Sequence, residues 1–180
     1  MNAKKFLFGI FALIILAVPA YIIFKSEDVL AGGNKHILHT IGFDPVDKFR
    51  GHYLDLNYDD IVPCDENLKK GDQAYVVLEK DSLGFSYFAF AESEKPDHSD
   101  YFICKLKYAQ EKARLDLNNI KRYYINEDKV KRAEDIVQDY TRNRPNDIWV
   151  EVSVLDGEMR MVDLFIEGTP ILEFLDNTEE

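Results

Sequence analysis

The chain has 180 residues, enough for one domain with a substantial core and too few for two. Apolar residues make up 46% and aromatics 13%, a composition that folds and that excludes a disordered chain. The formal net charge is −11, and every one of the 33 acids lies after residue 24, which excludes nucleic acid and a strongly anionic lipid surface as partners of that part.

The first element is an uncharged apolar run over residues 6–24. At about 1.5 Å per residue a helix of that length spans the hydrocarbon core of a bilayer. A cleaved signal peptide is the alternative, with Val18-Pro19-Ala20 as a loose small-x-small site. The run continues through Tyr21, Ile22, Ile23 and Phe24, longer than a signal h-region of roughly 7–15 residues, and this favours a retained anchor. Lys4 and Lys5 on one flank, against Lys25 followed by Glu27 and Asp28 on the other, point the amino end inward. The expected organisation is a cytoplasmic end at 1–5, a single-pass transmembrane anchor at 6–24, a linker at 25–35 around Ala31-Gly32-Gly33-Asn34, and an extracytoplasmic domain at 36–180.

Strands follow in quick succession. Residues 36–41 read as a first strand, and 51–58 alternate, with Leu54, Leu56 and Tyr58 on one face and Tyr53, Asp55 and Asn57 on the other. The segments 73–79 and 85–92 form a hairpin around Lys80 to Gly84, 101–108 alternate again, and 114–117 make a short strand. One helix is predicted in the domain, over 127–142, with Asn126 as N-cap and Val130, Ala133, Val137 and Tyr140 as its apolar stripe. Residues 148–154 alternate up to Asp156-Gly157, a type I′ turn pair, and 159–166 return. Glu167-Gly168 offers a second turn before 170–175, a last strand or terminal extension. The fold class is therefore α+β: a mostly antiparallel sheet or partial β-barrel of about eight strands with one main packed helix, plus the N-terminal transmembrane helix.

Between the first two strands, Asp44-Pro45-Val46-Asp47-Lys48-Phe49-Arg50-Gly51 reads as one helical turn: Asp44 caps it, Pro45 suits its first position, and Gly51 releases the chain into a strand. A local Asp47–Arg50 ion pair accounts for the charges, with an anion or peptide carboxylate held by Arg50 as the alternative. At these residues the chain resembles the GDYXXLXY proteins, through Asp44-Pro45, Asp47, Arg50-Gly51, Tyr53, Leu56 and Tyr58. The resemblance continues at Arg122-Tyr123-Tyr124-Ile125, at residues 150–154 and at residues 164–168; His52 stands where the family motif has Asp. It implies a membrane-anchored domain without an established activity, some members being encoded beside multi-pass membrane proteins, which makes such a protein a candidate partner. A histidine at 52 titrates between pH 5 and 8, but a lone surface histidine is usually inert.

The chemistry-bearing motifs of the common enzyme classes are missing: no Gly-x-Ser-x-Gly, His-Glu-x-x-His or phosphate-binding glycine loop is present, and 65–71 miss the EF-hand spacing. His36 and His39 fall on opposite sides of a strand, so they do not pair on a metal. No cofactor or metal is expected. Cys64 and Cys104 form either a disulfide or two separate thiols, the second reading placing Cys104 in the core. An anchored, sheet-rich exported domain is also the layout of signal-peptidase-like proteases, but Ser26 falls in the linker, and Ser82, Ser86, Ser93, Ser99 and Ser153 fall in turns or strands without a lysine placed to serve as base. The expected function is accordingly a binding or accessory module, with a purely structural subunit or a serine/lysine hydrolase as alternatives. The candidate contact residues are Asp44, Asp47, Arg50, His52, Tyr53, Asp55 and Tyr58, since interfaces favour aromatics and Arg.

Overall fold

The computed structural model describes residues 3–44, 53–97 and 100–178. Its first element, α1 (Ala3–Gly32), passes without a break from the apolar run into the domain. Within it Ile10–Gly32 is long and apolar enough to cross a membrane. Side chains from Leu7 to Phe24 are largely exposed, as a lipid-facing helix requires, whereas Val29 is buried.

Among the described residues twelve strands follow: β1 (Asn34–His39), β2 (Gly42–Asp44), β3 (Tyr53–Asn57), β4 (Ile61–Pro63), β5 (Gln73–Lys80), β6 (Ser86–Glu92), β7 (Tyr101–Ala109), β8 (Lys112–Leu115), β9 (Arg122–Tyr124), β10 (Ile148–Leu155), β11 (Glu158–Ile166) and β12 (Thr169–Pro170). Three helices accompany them, α2 (Asn118–Lys121), α3 (Glu127–Asn143) and α4 (Ile171–Asn177). The large sheet has the order β12-β11-β10-β1-β6-β5-β7-β8-β4, and β2-β3-β9 form a second, small one. All pairs are antiparallel except β1 with β6, which meet at Leu38 and Ser86. The large sheet curls until the β10–β11 turn reaches β7, where the Ile103 N–H donates to the Gly157 carbonyl at 2.8 Å, but no barrel closes.

Alternation explains the strands that position everything else. Ile148, Val150 and Val152 of β10 are fully buried with Leu164 and Ile166 of β11, beneath Ala133 and Val137 of α3, Leu54 and Leu56 of β3, and Ile120 of α2. Each such side chain contributes about 1.5–3 kcal/mol by leaving water. The turn between β10 and β11 has Asp156 at φ 49° and Gly157 at φ 80°, as a type I′ pair requires. A Cβ on Gly157 would also meet Ile103 Cδ1 at 2.9 Å, so glycine is needed there twice over. Asn126 stands at the N-cap of α3 as expected, but its side chain makes no capping bond; its carbonyl accepts from Lys129 N–H at 3.0 Å instead.

Several expectations are corrected. The linker at 25–35 is helix to Gly32 and strand from Asn34. Its glycines signalled freedom, whereas Gly33 serves a close approach: a Cβ there would lie 2.7 Å from the Val29 carbonyl oxygen, 2.8 Å from that of Val154, and against Ser153 Oγ. Ser153 Oγ donates to the Val29 carbonyl, and Lys25 pairs with Glu158, so α1 is docked on the β10–β11 hairpin. Residues 171–177 form a helix, because Ile171, Phe174 and Leu175 share one face at spacings of three and four, Ile171 and Leu175 fully buried. Strands β2, β4, β9 and β12, two or three residues each, are too short to display a period. The two thiols are separate, Cys104 being buried with its pKa pushed up to about 11 by that burial.

The Gly33 seam generates a stability prediction. Gly33→Ala should lower unfolding stability by about 1–3 kcal/mol, the cost of overpacking against backbone that cannot yield. Gly32→Ala, whose Cβ would meet nothing within 4 Å, should be neutral or slightly stabilising. Urea denaturation of both full-length variants in detergent measures the difference.

Candidate functional site

Strand β3 divides the candidate residues between two environments. Leu54, Leu56 and Tyr58 point into the core, as the alternation requires, and the Tyr58 hydroxyl donates to the Ile120 carbonyl at 2.7 Å. Burial pushes the Tyr58 phenol far above its usual range. Tyr58 is therefore a core residue that fastens β3 to α2, and the expectation that it is an exposed contact is corrected.

The opposite face of the small sheet is solvent-facing and chemically distinct. In register, Tyr53 pairs with Tyr124 and Asp55 with Arg122, while Asp44 closes β2 opposite Asp55. The Arg122 guanidinium lies 5.0 Å from the centroid of the Tyr53 ring, and the Tyr124 ring is 5.9 Å from it, tilted by 59°. A cation over an exposed aromatic face is worth about 0.5–1 kcal/mol and holds both groups in place. Tyr53 is thereby covered by its neighbours, but Tyr124 stands 70% exposed. On the reverse side Tyr123 donates to Asp163 Oδ1 at 2.7 Å, tying β9 to β11, and burial together with Asp163 raises its pKa. The face thus presents Tyr124, the Arg122 guanidinium and the Asp55 carboxylate over the covered Tyr53 ring, on a backed, hydrogen-bonded scaffold.

Asp47, Arg50 and His52, with the expected helical turn, lie outside the described residues. Arg122 and Tyr124 were not among the candidates. Their segment was noticed only for its resemblance, and nothing local in Arg-Tyr-Tyr-Ile says that it pairs with β3, 67 to 71 positions earlier in the chain.

Three serines are committed to structural hydrogen bonds. Ser153 holds α1, Ser93 donates to Asp65 Oδ2 at 2.9 Å, and Ser86 Oγ lies 3.0 Å from His36 Nδ1. The last pair has the ingredients of a nucleophile and base, with Asp100 Oδ1 3.8 Å from His36 Nε2. That separation is too long for an orienting hydrogen bond, and His36 and Ser86 are 3% and 4% exposed, closed to a substrate. Among the described residues no three His, Cys, Asp or Glu side chains converge as metal ligands. A cleft of about 230 Å³ lies where the two sheets meet, lined by Leu38, His39, Tyr58, Phe85 and Phe88, and is smaller than most ligand sites.

Against this geometry, a family pattern described as GDYXXLXY protein matches residues 15–164, most of the chain. The chain belongs to the GDYXXLXY family. No match is found among curated proteins or among solved structures. The name's own letters now have separate physical meanings in this GDYXXLXY domain. Leu56 and the final tyrosine, Tyr58, are core residues, so these letters record folding. The first tyrosine, Tyr53, lies on the opposite face of β3 but is only 8% exposed beneath Arg122 and Tyr124, so the expectation that it is an exposed contact is corrected as well.

His36 provides a pH prediction. It faces Ser86 from β6, Asp100 preceding β7 and Lys80 at the end of β5, and its pKa is lowered, chiefly by burial. A depressed histidine pKa means that the unfolded chain binds the proton first, so stability is full above about pH 6.5 and falls as the pH drops below that value. His36→Gln, which keeps a hydrogen-bonding group toward Ser86, should flatten this slope in urea titrations between pH 7.5 and 5.5; an unchanged slope would assign it to other groups.

Proposed function

We propose that this GDYXXLXY protein is held in the membrane by a retained α1, with its amino end in the cytoplasm and its acidic domain outside, and acts as a binding or accessory module for another membrane or envelope protein. A multi-pass partner is the candidate the family resemblance suggests. The observation that carries the reading is the outward face of the small sheet, where Tyr124 stands exposed beside Arg122 seated over Tyr53. Tyrosine and arginine dominate binding hot spots because they offer large contact area and directed hydrogen bonds at little conformational cost. Here the arginine is already ordered by its ring partner, which lowers the entropy lost on association. Orientation rests on Lys4 and Lys5, which favour the cytoplasmic side, and on Glu27 and Asp28 beyond Lys25.

A structural subunit acting through the helix alone is the second reading, supported by the exposed apolar side chains from Leu7 to Phe24. Exchange of the span for an unrelated one separates the two, since a module keeps its partner and a helix-only subunit loses it.

Crosslinking and pull-down from native membranes should recover a specific membrane protein with the intact chain. An Arg122→Ala, Tyr124→Ala double variant should recover at least about tenfold less, the loss expected when hot-spot residues are truncated. Tyr108→Ala, removing another exposed tyrosine far from this face, should leave recovery unchanged. Equal recovery by all three proteins would contradict the assignment of the face.

A further inference from the structure

The distance between the membrane exit and the first contact with the domain sets where the domain sits. Phe24 is the last of the exposed apolar side chains, and the helix continues unbroken to Gly32. The polar headgroup layer on each side of a bilayer is roughly 5–7 Å thick, which a helix rising about 1.5 Å per residue crosses in four or five residues. Contact with the domain begins inside that interval: Lys25 pairs with Glu158 on β11, and by Val29 the helix is buried, its carbonyl accepting from Ser153. A hairpin pinned to residues 25–29 has no slack with which to stand clear of the lipid.

We propose that the β10–β11 hairpin tip is seated in the headgroup layer and that its charged collar takes zwitterionic phospholipid headgroups. This rests on the retained-anchor reading above. The collar is mixed in sign. Lys25 and Arg160 supply the cations, and Glu158, with Glu27 and Asp28 exposed on α1, supplies the anions. Arg160 Nη2 approaches Glu158 Oε2 at 3.5 Å, and its side chain is 38% exposed, so the outer end of the guanidinium is open to a further acceptor. Such a set complements a headgroup that carries a phosphate and an ammonium together: phosphate oxygens accept from Arg160 and Lys25, and the ammonium lies beside Glu27 and Asp28. A purely anionic surface would meet four carboxylates, the exposed Asp156 of the turn included, against two cations and gain little.

The test uses the full-length chain in nanodiscs of zwitterionic phospholipid containing a trace of lanthanide-tethered headgroups. With Cys64 replaced by serine and Cys104 buried, a spin label is placed at Asp97→Cys, which borders the same hollow as Leu155 and Asp156 of the tip. A second label at Leu83→Cys, 67% exposed in the turn before Phe85, marks the far end of the sheet. Relaxation by the tethered lanthanide should be several-fold stronger at 97 than at 83, and equal relaxation overturns the seating. Lys25→Gln with Arg160→Gln should reduce the phospholipid retained per protein after delipidation; unchanged retention overturns the headgroup assignment. Failure of the chain to enter the discs at all contradicts the anchor reading itself, an outcome distinct from both.

Discussion

At Gly33 three backbone and side-chain groups converge on the place where a Cβ would be. The Val29 and Val154 carbonyl oxygens and the Ser153 hydroxyl leave no room for one, and the chain turns there from α1 into β1. The seam has consequences in both directions. Toward the amino end it fixes the last turns of α1 on the hairpin, with Lys25–Glu158 as a second fastening. Toward the domain it sets the start of β1, whose residues pair with β10 from Asn34–Val154 to His39–Trp149. Because β10 is buried on alternate residues beneath α3 and at Ser153 beneath α1, the same strand is both centre of the core and attachment point of α1.

From that strand the rest is layered. The small sheet and the three shorter helices lie over the buried face of β10 and β11, and Tyr123, donating to Asp163, links the two sheets. Tyr140 and Arg144 at the end of α3 meet Glu167, at 2.7 and 2.8 Å, closing the helix onto the β11–β12 turn. Arg122 and Tyr124, with Tyr53 beneath them, therefore lie on a surface whose reverse side is hydrogen-bonded to the core. A face held in this way needs little reordering on contact, which is what a docking surface without a deep pocket depends on.

Local signals in the sequence carried the elements whose period or turn chemistry is strong. The alternation from Ile148 to Val154, the Asp156-Gly157 turn and the stripe Ala133, Val137 and Tyr140 all appear where their spacing places them. Two features were misread for physical reasons. Gly32-Gly33 has the composition of a flexible tether, but the second glycine answers steric crowding from Ser153, 120 positions later, and no local pattern carries that. Ile171, Phe174 and Leu175 do have helical spacing, yet a segment of seven residues following a turn is as readily taken for a strand. The motif strand shows the same division. Its burial alternation was legible, but the partner that makes its outer face a surface, β9, is joined by non-local pairing alone.

Residues 25–33 join α1 and the domain into one continuous structure. Amide hydrogen exchange on the full-length protein in a bilayer tests it most directly, since a docked helix protects its N–H groups and a tether does not. Amides of residues 25–33 should exchange with protection comparable to that of β10. Exchange of that segment at the rate of an unstructured peptide, while β10 stays protected, would contradict it.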